Sequence, residues 1–178
     1  MIKHFLCTGI VYFYLLCTPA FSQSNIEIFA DVKDNDTLQK LVTIFTDQLE
    51  KGSPGGFTVQ NTSSYKGTGI YISSTKATNP AVKPSLKLLK AGVEAFLVDA
   101  NNKTVQILGN SNMAVGHGIF SYLEFLGYRY YFANPVWHII PAKAVLFQKW
   151  SIISSPSFYH RRIWYGYGTG SKIADADY

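Results

Sequence analysis

The stretch Gly109–Phe132, GNSNMAVGHGIFSYLEFLGYRYYF, constrains the fold of this chain more than any other segment. It begins at the end of a strand-like run, Thr104–Gly109, and finishes in another, Tyr128–Ala133. Between them, Ser111 or Asn112 can cap a helix that Gly127 closes. Met113, Gly116, Ile119, Phe120, Leu123 and Leu126 recur at helical spacing and predict its buried face. Gly116 and Gly118 sit inside this helix, where each costs about 1 kcal/mol relative to alanine. Close approach of the helix to a sheet offsets that cost. The glycines fit neither a G-x-G-x-x-G dinucleotide fingerprint nor a G-K-[ST] phosphate loop. His117 falls opposite the apolar face with Ser121 and Glu124, and is expected to be a surface or edge histidine.

The remaining elements build a sheet around this unit. Asn25–Ala30 alternates and reads as a strand. From Asp36 as N-cap to Gly52, Leu38, Leu41, Val42, Phe45 and Leu49 mark a first helix. GGFTVQ and Gly69–Ser74 are the next two strands, and a lysine-rich, proline-broken connector follows, with a helical turn at Ser85–Lys90. Glu94–Ala100 and Thr104–Gly109 form a hairpin across Asn101-Asn102-Lys103. The order β-α-β-β-β-β-α-β predicts an α+β fold: a mainly antiparallel sheet with two helices on one face.

The N-terminus has a different character. A basic start, Met1–His4, precedes the uncharged run Phe5–Leu16; Thr18-Pro19 breaks it, and Ala20-Phe21-Ser22 has small residues at −3 and −1. This is the layout of a secretory signal peptide spanning 1–22, with cleavage near Ser22/Gln23 and a periplasmic or extracellular destination. The run is shorter than the roughly 20 residues of a membrane span, so no stable membrane anchor is expected; the alternative is an uncleaved one. Cleavage removes Cys7 and Cys17, leaving a mature chain without disulfides or thiolate metal ligands. Of 16 basic residues Lys3 leaves with the leader, so 15 face 11 acidic ones, and the lysines are scattered. That pattern argues against nucleic acid as a partner.

The chemistry-bearing residues point to binding more than to catalysis. No pair of acids converges in the sequence as glycoside hydrolysis requires. His117, His138 and His160 lack metal-ligand spacing, so neither a metal nor a cofactor is expected. SSPSFYHRRIWYGYG is the richest segment. There Arg161, Arg162 and Trp164 make a cationic and aromatic cluster of the kind that grips sugars, the alternative being a basic strand start with buried aromatics.

The segment from Gly92 to Ala144 resembles the small N-terminal domain that precedes the catalytic barrel in family 20 β-N-acetylhexosaminidases and family 67 α-glucuronidases. The resemblance rests on Gly92-x-Glu94-Ala95-Phe96, Gly109-Asn110-Ser111, Ala114, Gly118, Tyr122-Leu123, Leu126–Tyr131, Pro135–Pro141 and SSPSFYHRR. It extends over roughly Ile26–Trp164. It implies a non-catalytic α+β domain at 23–145, packed against a (β/α)8 barrel. Residues 146–178 are then a linker and the first strand of that barrel. In such enzymes Pro-x-Phe-x-x-Arg introduces the first barrel strand and its arginine helps bind the sugar. Here that arginine is Arg161. The implied protein is an exported carbohydrate-degrading glycoside hydrolase whose catalytic carboxylates lie in a barrel of about 250 residues that this chain lacks, so the chain alone is expected to be inactive. A free-standing secreted carbohydrate-binding or adhesion module, using Trp137, Trp150 and Trp164, is the alternative.

Overall fold

The computed structural model describes residues 25–33, 35–75, 79, 82, 84–131 and 134–157. Strands β1 (Ile26–Ala30), β2 (Phe57–Gln60), β3 (Gly69–Ser74), β4 (Phe96–Ala100), β5 (Thr104–Gly109) and β8 (Trp150–Ser154) form one sheet in the order β2-β1-β3-β5-β4-β8. Helices α1 (Asp36–Gly52) and α3 (Asn112–Phe125) share one face of it, and the short α2 (Leu86–Leu89) lies in the β3–β4 connector. A second, two-residue ribbon pairs β6 (Arg129–Tyr130) with β7 (His138–Ile139).

The architecture is α+β, as expected, but the sheet is mixed rather than mainly antiparallel. β1 runs parallel to both β2 and β3, and β3 runs parallel to β5; β4 is antiparallel to β5 and to β8. For β1 and β2 the reason is α1. A helix between two neighbouring strands carries the chain back to its starting end, so β1 and β2 must run the same way. The β4–β5 pair is the expected hairpin. Asn101 accepts hydrogen bonds at Oδ1 from the Lys103 and Thr104 amides (2.9 and 3.0 Å) and so closes the turn.

Alternation along the central strands feeds two cores. Ile28, Ile70, Ile72, Val105 and Ile107 meet Leu38, Val42, Phe45 and Leu49 of α1 and Val115, Ile119 and Leu123 of α3. Phe29, Tyr71 and Leu108 point the other way, against Tyr65, Val82, Leu88 and Ala95. Both helices start on side-chain caps. Asn35, one residue before the expected Asp36, accepts from the Leu38 amide (3.1 Å), and Ser111 accepts from the Ala114 amide (3.2 Å). Asn35 and Asn112 also exchange side-chain hydrogen bonds of 3.0 and 3.4 Å, tying the two N-termini together.

Two further expectations are corrected. The buried face of α3 centres on Ala114, Val115, Gly118, Ile119, Tyr122 and Leu123, whereas Met113 and Phe120 are 63% and 42% exposed. This helix is apolar around most of its circumference, so spacing alone left its rotation open. Of the strand expected at Tyr128–Ala133, the described residues form only β6 at Arg129–Tyr130, which lies outside the main sheet; Phe132 and Ala133 lie outside the described residues. Gly127, at φ +100°, turns the chain there, and the Tyr128 hydroxyl anchors to the Gln48 carbonyl of α1 (2.9 Å). Trp150–Ser154 pairs with β4 from Ala100↔Trp150 to Phe96↔Ser154 and forms the sheet edge. Trp150 stacks on Phe125 with ring centres 4.4 Å apart. The Ala144 amide donates to Gly52 O (2.8 Å), and the Tyr122 hydroxyl donates to Leu146 O, so the approach to β8 is fastened to both helices.

Candidate functional site

A cleft of about 560 Å³ opens where the solvent side of α3 meets the β6–β7 ribbon and the ends of β4 and β8. Its helical wall is His117, Phe120, Ser121 and Glu124, at i, i+3, i+4 and i+7. That spacing lays four side chains on one stripe of a helix. The opposite wall comes from Arg129, Tyr130 and Tyr131. Glu94 and Phe96 close one end, and Ser154, Ser155 and Pro156 contribute from the end of β8. The stripe holding His117 is thus the polar face expected of it, but that face lines a cleft. Glu94 and Glu124, thirty residues apart in the chain, line it together. Their convergence is the feature the sequence reading missed, because it depends on α3 crossing β4.

The polar groups are arranged in a specific way. Nε2 of His117 lies 3.8 Å from Oε2 of Glu94, beyond hydrogen-bonding reach. The ring as a whole is 39% exposed, yet Nε2 itself is closed off from solvent and has no hydrogen-bond partner. The Tyr130 hydroxyl is likewise buried and unpartnered. Phe120 and His138 both meet the Tyr130 ring edge-on, at 5.9 and 5.1 Å. Burial, and secondarily the neighbouring Tyr128, push the Tyr130 hydroxyl up to about 12 from its ordinary value of 10.0. It therefore stays protonated at neutral pH. Arg129 is committed differently: Nη1 donates to the Glu124 and Tyr128 carbonyls (2.6 and 2.7 Å), capping the C-terminal end of α3.

An apolar surface adjoins the ribbon. Tyr131, Val136, Trp137, Ile139 and Ile140 are exposed by 62, 83, 55, 51 and 37%. Trp137 is thus more exposed than Trp150, which is half-buried and stacks on Phe125. Arg161, Arg162 and Trp164 lie outside the described residues, as does the 1–22 leader. Pro156, which opens the Pro-x-Phe-x-x-Arg pattern, lines the cleft. Among the described residues no three His, Cys, Asp or Glu side chains gather as metal ligands, and no helix is long and apolar enough to cross a membrane.

No protein-family model matches the chain, and no curated protein matches it. Its fold is similar to part of a solved family GH115 4-O-methyl-α-glucuronidase, an enzyme described as having specificity for decorated arabinogalactans. The TM-score is 0.56 at 16% identity, over 75% of this chain and 18% of that one. At such identity the likeness is one of fold. The part of that enzyme with the similar fold is 18% of its chain.

Proposed function

We propose that this chain is the non-catalytic N-terminal α+β domain of an exported, carbohydrate-degrading glycoside hydrolase of the α-glucuronidase or hexosaminidase type. In this reading it supports a (β/α)8 barrel that carries the catalytic carboxylates. The observation that carries it is the extent of the fold likeness: most of this chain aligns with less than a fifth of an α-glucuronidase. The exposed apolar side chains of Val136, Ile139 and Ile140 add support, since monomers rarely leave large apolar patches in solvent. The mixed sheet, buried on both faces at β1, β3 and β5, makes the domain a rigid platform for that barrel. Carbohydrate is the substrate class of the whole enzyme, and Arg161, with Arg162 and Trp164, is its sugar-contacting candidate once a barrel surrounds it.

The genomic locus tests this reading. Sequence continuing past the codon for Tyr178 is expected to encode some 250 residues of alternating strands and helices. Among these, two acidic residues should stand at the C-terminal ends of barrel strands. Absence of any barrel-coding sequence in all frames would overturn the proposal.

A further inference from the structure

We draw no further inference here: the strongest candidate, the outer edge of the main sheet at β8, where the uncharged Trp150–Ser154 pairs only with β4 among the described residues and Ile152 is 36% exposed, carries nothing because nothing in the structure shows what covers it.

Discussion

Replacing Gly116 and Gly118 separately by alanine isolates the packing that brings α3 onto the sheet. Each substitution gains the same helix propensity, about 1 kcal/mol, so the difference between the two variants reports packing alone. A Cβ at Gly118 would stand 2.8 Å from Cγ2 of Ile107 and 3.5 Å from the Phe96 ring. Ile107 is fully buried and β-branched in the centre of the sheet, so its methyl has nowhere to turn. Relieving that overlap costs about 1–3 kcal/mol. A Cβ at Gly116 would instead meet Leu41 Cδ2 at 3.2 Å, the far end of a half-buried side chain that can yield by a few tenths of an ångström. Gly116→Ala should therefore be neutral or stabilising by up to about 1 kcal/mol, and Gly118→Ala destabilising by up to about 2 kcal/mol. A gap of about 2 kcal/mol corresponds to melting midpoints roughly 4–8 °C apart. Urea unfolding followed by far-UV circular dichroism gives both stabilities at constant m. If Gly118→Ala is as stable as Gly116→Ala, the close helix–sheet approach is not what the glycine is for.

Other perturbations probe other parts of the account. Asn35→Ala and Asn112→Ala should each cost about 1 kcal/mol, and their double-mutant cycle should show a coupling of at least about 0.5 kcal/mol, because each amide bonds the other; additive losses would mean that the helix N-termini are independent. Trp150→Ala should cost about 2 kcal/mol through loss of the Phe125 stack and the β8 edge, whereas a detached linker would lose less than about 0.5 kcal/mol. Stability should also fall at alkaline pH. Burial raises the hydroxyls of Tyr122, Tyr128 and Tyr130 above their ordinary value of 10.0. The unfolded chain thus releases protons that the folded chain keeps, so stability is full below pH 10 and declines above it, with the Tyr130 share lost as pH rises through about 12. Urea midpoints measured on either side of pH 10 check the sign, and Tyr130→Phe should shallow the decline; a midpoint that rises above pH 10 contradicts it.

What could be read from the residues follows how local the determining physics is. Strands β3 and β5, both helices and their glycine stops were legible, because caps, turn residues and periodicity act over a few neighbours. The Asn101 turn was legible for the same reason. Strand partners were not, since Ile70 pairs with Val105 on one side and Ile28 on the other through contacts that no short window contains. Strand β8 was hidden because Trp150–Ser154 sits at the sheet edge and exposes Ile152, so its pattern does not stand out from a linker. His117 shows the same limit at the site. Its face was read correctly, but Glu94 joins it only because α3 crosses the end of β4, and the orphaned Tyr130 hydroxyl arrives from beyond the Gly127 turn.

The central claim is that this domain belongs to an exported hydrolase, and the native polypeptide itself tests it most directly. Mass spectrometry of the secreted fraction of cells expressing the intact gene should find peptides of this domain beginning at Gln23. It should find them in a polypeptide that extends some 250 residues or more past Tyr178. Recovery of the domain with residues 1–22 still attached inside the cell, or as a product ending at Tyr178, would contradict it.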